Sequence, residues 1–382
     1  MKIVVAPNAL KGSLGAAAAA EAMAAGVRLA APGAEIVQVP VADGGDGLLE
    51  VLGGNDLQHI PCRVTGPLGS PVAATLLYSA DRRLAVIEMA TAAGLALLPP
   101  GELDPMQAST FGVGELLRLA LDCGAQHIII GIGGSATSDG GTGLARALGA
   151  RFLDTGGNEL PGNAAALPHV HRMDLEALDT RLPQTRIDVI CDVDNPLLGP
   201  QGAARVFAPQ KGASPAQVGA IEAGLEKLAG LVEQQLGRDI RKLPGGGAAG
   251  GLGAGLVAFL QAELRPGAAL VLELVGFEAS LAGAGLVLTA EGRLDGQTAH
   301  GKAPAAVARL ARQHGMPCIA LAGSVATDLE ALQAAGISAC FSLCPGPLAL
   351  EDAMQQATPL LGRACEQAVR CFLAGKQAKP ES

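Results

Sequence analysis

Residues 126–143 read QHIIIGIGGSATSDGGTG, and this stretch limits what the chain can fold into more than any other. Ile128, Ile129 and Ile130 form a β-branched run suited to a strand buried on both faces. Gly131, Gly133 and Gly134 follow, then Ser135, Thr137, Ser138 and Asp139, then Gly140, Gly141 and Gly143. Leu144, Ala147 and Leu148 resume at helical spacing. A strand that runs through a glycine- and hydroxyl-rich loop into a helix is the layout of an anion cradle. Glycine lets backbone N–H groups converge, and a helix N-terminus adds partial positive charge. A plain tight turn needs one or two glycines for positive φ, and here there are six.

The flanks set the frame for that loop. Residues 3–6 and 36–41 read as strands, separated by an Ala-rich helix for which Ser13 is the expected N-cap, and residues 48–52 open another helix. Residues 57–98 change style to several short strands, broken by GPLGSP and by Asp81-Arg82-Arg83. Helices are expected at 112–122 and 216–236 and a strand at 186–191. From Leu286 the alternation of strand and helix returns and ends in one long helix near 351–373. With 382 residues, two domains are expected. The expected class is α/β: a discontinuous Rossmann-like parallel-sheet domain (1–63 and 284–382) with a second mixed α/β domain (64–283) inserted.

Composition removes several function classes. The formal net charge of −9 makes nucleic acid and anionic membranes poor partners. Aromatic residues are 2% of the chain, too few for a base-stacking platform. The eight cysteines contain no CxxC pair, so neither a zinc site nor a disulfide framework is expected, and reduced thiols fit a cytoplasmic protein. The apolar start MKIVV is cut off by Pro7, too short for a signal peptide, and no stretch approaches a membrane span. Self-association into a homo-oligomer is left open.

Five polar loops follow predicted strands: PNALKGS at 7–13, ADGGDG at 42–47, the central loop, CDVDNP at 191–196 and EGRLDGQTAHGK at 291–302. Ligands of open α/β sheets bind beyond the carboxyl ends of the strands, so one cleft between two domains is expected. Asp43, Asp46, Asp192, Asp194, Glu291 and Asp295 offer hard oxygens suited to Mg²⁺. Lys11, Arg205, Lys211, Arg293 and Lys302 offer charge to phosphate or carboxylate. Each has a plainer reading. Asp43 and Asp46 could cap the helix at 48, Asp192 and Asp194 could form an Asx-turn before Pro196, and the basic residues could be solvated. Two motif matches are discounted. Gly296-x-x-x-x-Gly301-Lys302 lacks the Ser or Thr of a phosphate-binding P-loop, since Ala303 stands there, and its strand is expected to end near Ala290. Gly131-x-Gly133-x-x-Ala136, with Asp154 beyond it, matches a dinucleotide fingerprint, but Gly140, Gly141 and Gly143 delay the helix.

Taken together and in order, PNALKGS, PVADGGDG, GIGGSATSDGGTG, CDVDNP, ARVFAPQKGA, GAAGGLGAG and EGRLDGQTAHGK resemble the type I glycerate kinase family over essentially the whole chain. The resemblance implies ATP- and Mg²⁺-dependent phosphorylation of D-glycerate, with 2-phosphoglycerate as the expected product and 3-phosphoglycerate as the alternative. On this reading Asp192 is the base, and Lys11 is catalytic. Ser13, Asp43, Gly133, Gly134, Ser135, Thr137, Arg205, Gln210 and Lys211 contact substrate or phosphate. Asp46, Asp194, Glu291, Arg293, Asp295 and Lys302 lie near nucleotide or metal. Departures from the family pattern are Asn8 and Ala9 in the first motif, Asp46 for a more usual Glu, Asp194 for Thr, and Ser138 for Asn. Two other readings remain: an NAD-dependent oxidoreductase resting on GIGGSA, and a non-catalytic sensor of sugar acids.

Overall fold

The computed structural model describes residues 1–44, 47–53, 56–99, 101–296, 298 and 302–377. The chain opens with β1 (Lys2–Val5), α1 (Ala16–Ala30), β2 (Glu35–Gln38) and α2 (Leu48–Leu52). An antiparallel meander follows: β3 (Gln58–Thr65), β4 (Pro71–Ser79) and β5 (Leu84–Glu88). The middle continues with α3 (Ala90–Ala93), α4 (Phe111–Asp122), β6 (His127–Gly131), α5 (Thr142–Ala147), β7 (Arg151–Leu153), β8 (Arg172–Asp174) and β9 (Arg186–Ile190). Then come α6 (Ala203–Phe207), α7 (Pro215–Leu236), α8 (Ala248–Leu260), β10 (Glu263–Arg265), α9 (Gly267–Leu274) and α10 (Phe277–Ser280). The chain closes with β11 (Ala284–Leu294), α11 (Ala303–Gln313), β12 (Cys318–Val325), α12 (Glu330–Ala334), β13 (Ile337–Ser342), α13 (Leu350–Gln355) and α14 (Ala357–Gln377).

Two compact units emerge. The first holds residues 1–43, 50–52 and 266–382, and the second holds 44–49 and 53–265. The boundary expected near Val64 falls inside β3, which pairs along its whole length with β4. Residues 266–283, expected in the inserted domain, supply α9 and α10 to the first unit.

The first unit is a five-stranded parallel sheet in the order β13-β12-β11-β1-β2. Counted within the unit, the order is 2-1-3-4-5, which reverses between β1 and β11. Such a reversal opens a crevice at the carboxyl ends of the two strands. Side chains alternate across the sheet. Ile3, Val5, Leu286 and Leu288 face one core with α1 and α14, while Val4, Ala6 and Val287 face the other with α9 and α11. Burial on both faces is why β1 and β11 read as continuous apolar runs.

The second unit holds a six-stranded mixed sheet, β10-β9-β6-β5-β4-β3, in which β5, β6, β9 and β10 are parallel. Glu88, Gly131, Ile190 and Arg265 lie in register, so one edge collects the carboxyl ends of four strands. Ile128, Ile130, Ile187 and Val189 point into its core, with Leu144, Leu225 and Leu252 of the helices.

Several expectations need correction. Ser13 does not cap α1; the N-cap position is held by Gly15, two residues past it, and Ser13 Oγ donates to the Leu10 carbonyl inside a tight turn. The long last helix is two, α13 and α14, broken at Gln356, because Pro359 lacks the N–H that would continue the ladder. β11 runs to Leu294, not Ala290, so Glu291 and Arg293 sit on a strand. The 296–302 P-loop match is therefore discounted on Ala303 alone.

Candidate active site

The carboxyl edge of the first unit gathers several of the expected polar residues. The backbone continues from β1 along β11, with Asn8 N donating to the Ala290 carbonyl. That register places the Asn8 side chain by the switch point, where its Nδ2 donates to Asp43 Oδ2 at 3.2 Å. Glu291, on β11, is buried; Lys302 Nζ lies 3.6 Å from its Oε1, and Thr298 Oγ1 donates to its Oε2 at 3.3 Å. Burial pushes the Glu291 carboxyl up to about 7; Asp43 adds to that push and Lys302 opposes it. Thr298 N in turn donates to Asp295 Oδ1, and Arg293 Nε pairs with Asp295 Oδ2 at 3.1 Å. Lys11 is exposed at the tip of the turn closed by Leu10 and Leu14, and its backbone passes β11 at Gly292. Lys302 is the N-cap residue of α11, so its plainer reading as a helix-start lysine and its place beside Glu291 are both true. Asp46 lies outside the described residues.

In the second unit the central loop leaves β6 and is fixed at once. Leu95 N donates to the Gly134 carbonyl, and Ala136 N donates to the Ala93 carbonyl. Lys211, from a 3₁₀ turn at Pro209–Lys211, reaches into this loop. Its Nζ donates to Ser135 Oγ at 2.8 Å and to the Thr137 carbonyl at 2.6 Å. The ammonium is 1% exposed; burial pushes its pKa down to about 7, with Asp139 opposing. Thr137 Oγ1 is buried with no hydrogen-bond partner among the described residues.

Asp139, which is absent from the expected site residues, governs the loop's far half. Its carboxylate is fully buried and accepts from Thr110 N and Thr110 Oγ1 at 2.8 Å, from Gly141 N at 3.0 Å and from Gly143 N at 3.2 Å. Thr110 Oγ1 also accepts from Leu144 N. The amides at the start of α5 are thus consumed, and the expected contribution of that helix N-terminus to an anion cradle is corrected: Asp139 occupies it. Burial raises the Asp139 pKa while the four donors lower it. A signal was available, since an Asp two residues before a Gly-Thr-Gly helix start is capping chemistry.

The remaining expected residues scatter more widely. Asp192 is exposed two residues past the aligned strand ends, and a Cβ at Gly44 would collide with Ile190 and come within 3.5 Å of Asp192 Oδ2. Asp43 does not cap α2; Glu88 takes that role, accepting from Gly47 N and Leu49 N. Asp194 and Gln210 are exposed. Arg205 turns to Glu222 of α7, with Nε 3.9 Å from Oε1. Gly133 and Gly134 sit between the end of β6 and Ser135, Gly134 at φ +70°. Among the described residues no group of three or more His, Cys, Asp or Glu side chains forms a metal cage, and no helix is long and apolar enough to cross a membrane. All eight cysteines are free thiols.

The model of the glycerate kinase family matches residues 3–373. The chain is 46% identical to a glycerate kinase of Bacillus subtilis (strain 168) over 367 residues, 95% of each chain. It is 43% identical to a glycerate 2-kinase of Escherichia coli (strain K12) over 365 residues, covering 95% of this chain and 96% of that one. The crystal structure of "putative glycerate kinase 2" from Salmonella typhimurium LT2 superposes with a TM-score of 0.87, at 44% identity and 99% coverage of both chains.

Proposed function

From the premise that this chain belongs to the glycerate kinase family, and is a phosphotransferase with an alcohol acceptor, we propose that it transfers the γ-phosphoryl group of ATP to the 2-hydroxyl of D-glycerate. The products are 2-phosphoglycerate and ADP; the 2-position rests on the E. coli relative named glycerate 2-kinase. The observation that carries the reading is the Lys211–Ser135–Thr137 loop, a buried cation within a glycine loop at a sheet's carboxyl edge. It fits a small anionic hydroxy acid or a phosphoryl group.

Phosphoryl transfer is mostly positioning and charge stabilisation. We assign the loop from Gly133 to Thr137 to an oxyanion of substrate. Lys11 is assigned to the transferring phosphoryl group, and Arg205 and Gln210 to the substrate's outer contacts. Asp192 is assigned as the base that takes the proton of the reacting hydroxyl. The residues of the first unit fit Mg²⁺, which binds through one or two carboxylates together with phosphate oxygens. The Asp43 carboxylate raises the cost of ionising Glu291, and a divalent cation relieves that cost. Bound there, Mg²⁺ would neutralise charge on the β- and γ-phosphates. Arg293, Asp295 and Lys302 of the first unit are assigned to nucleotide or metal. Eight free thiols support a cytoplasmic location.

Incubation with D-glycerate, ATP and Mg²⁺, read by phosphorus NMR, tests the proposal. Formation of 2-phosphoglycerate that stops in excess EDTA is expected. A 3-phosphoglycerate signal would overturn the regiochemistry, and no phosphoglycerate at all would overturn the reading.

A further inference from the structure

Lys211 keeps 1% of its surface in solvent, so its ammonium meets a ligand only through a neighbour. That neighbour is Ser135, half-buried, whose Oγ lies 2.8 Å from Nζ. An ammonium carries three donors and no acceptor, so Ser135 Oγ must accept this bond. The single hydroxyl proton of Ser135 is then left to point away from Lys211. The origin of that O–H is held in place: Gly94 and Ser135 form a bridge, and the carbonyls of Gly134 and Ala93 accept from Leu95 N and Ala136 N. The second Lys211 bond, to the Thr137 carbonyl, stops the ammonium from following Ser135.

We propose that Lys211 is a positioning residue that acts through Ser135, turning the serine hydroxyl outward as a donor to an oxyanion of the substrate. The inference rests on the kinase reading for the identity of that oxyanion. A glycerate carboxylate and a nucleotide phosphoryl oxygen offer the same chemistry. The charge of Lys211 then decides the direction of the hydroxyl. A neutral amine has a lone pair and can accept the serine proton, which removes the donor from the ligand. Asp139 is the charged group that acts on the ammonium; Ser135 and Thr137 present neutral oxygens. With burial holding Lys211 at about 7, the outward donor is present below that pH and lost as pH rises through it.

Calorimetric titration of the full chain with D-glycerate, with ATP and with sulfate, at about pH 6 and about pH 8.5, tests this. Sulfate is a dianion throughout and reports the loop whether or not the chain is a kinase. Wild type should bind its oxyanion about ten-fold more weakly at the higher pH. Ser135→Ala truncates a half-buried loop side chain and leaves no cavity. It should bind about ten-fold more weakly at the lower pH and lose the pH dependence. Lys211→Met should behave alike, and the double variant should be no worse than either single one, since the two residues act as a unit. Wild-type affinity in Ser135→Ala, or a pH dependence that survives in it, would overturn the proposal. The D-glycerate and ATP arms show which oxyanion is held. Failure to form phosphoglycerate while sulfate still shows the coupling would remove the kinase reading alone.

Discussion

Glu291 and Lys211 begin with opposite charges, and burial brings both to about 7. Displacements of this size are concentrated at functional sites, which is the ground for placing both groups in the proposed machinery. Asp192 is different: it is exposed, and its claim rests on position two residues past the aligned ends of β6 and β9. Asp192→Asn keeps the shape and one acceptor but cannot take a proton. If Asp192 is the base, turnover should fall by about 100- to 10,000-fold while the KM for D-glycerate changes little. Steady-state kinetics at low and at saturating Mg²⁺ checks it. A defect that shrinks as Mg²⁺ rises would make Asp192 a metal ligand, and an unchanged turnover number would leave it a turn residue.

At the scale of elements, the segment 245–255 is the support on which the central loop is cast. α8 is broken inside, with Ala249, Gly250 and Gly251 all at positive φ. Gly250 at φ +68° gives its carbonyl to Gly140 N, and a Cβ there would collide with the Thr137 carbonyl, the same oxygen that holds Lys211. Gly250→Ala should therefore cost at least about 1–3 kcal/mol in urea unfolding and should weaken oxyanion binding. Gly199→Ala is the control: it also has positive φ, +96°, but open space around it, so it should cost stability without touching binding. Equal binding in the two variants would show that the 245–255 segment does not shape the loop. Little of this was legible in the sequence. Three left-handed residues erase the 3.6-residue period by which a helix start is read, so α8 showed only as a glycine run. β11 looked shorter than it is because Glu291 and Arg293 are charged, and burial of Glu291 depends on a crevice formed by β1, 280 residues earlier in the chain. Lys211 is expected from PQKG to offer its charge to phosphate or carboxylate, but nothing in the sequence says that it is enclosed. By contrast the strands β1, β6, β9 and β12 and the helices α4, α7 and α11 were legible. The strands are short apolar runs bounded by turn residues, the helices carry apolar stripes at helical spacing, and the loops after the strands held the polar residues.

For the molecule as a whole, the two displaced groups lie in different units, so pH should move the stability of the two units in opposite directions. Glu291 belongs to the first unit, and its folded pKa of about 7 lies above its ordinary 4.5. Between those values the folded form holds more proton than the unfolded chain, so stability is full below 4.5 and falls as pH rises to about 7. Lys211 belongs to the second unit, and its folded pKa of about 7 lies below its ordinary 10.5. Above about 7 the unfolded chain holds more proton, so this unit gains stability as pH rises, until thiols held in the folded chain begin to oppose it above their ordinary 9. Each slope should approach about 1 kcal/mol per pH unit. The chain has no Trp, so Phe341→Trp on β13 and Tyr78→Trp on β4 give one fluorescent reporter per unit. Urea unfolding in EDTA should show the β13 reporter losing stability from about pH 5 to pH 7 and the β4 reporter gaining it from about pH 7 to pH 9. Glu291→Gln should flatten the first slope and Lys211→Met the second. Parallel slopes from the two reporters, or slopes that survive these substitutions, would show that neither buried group bears on the stability of its unit.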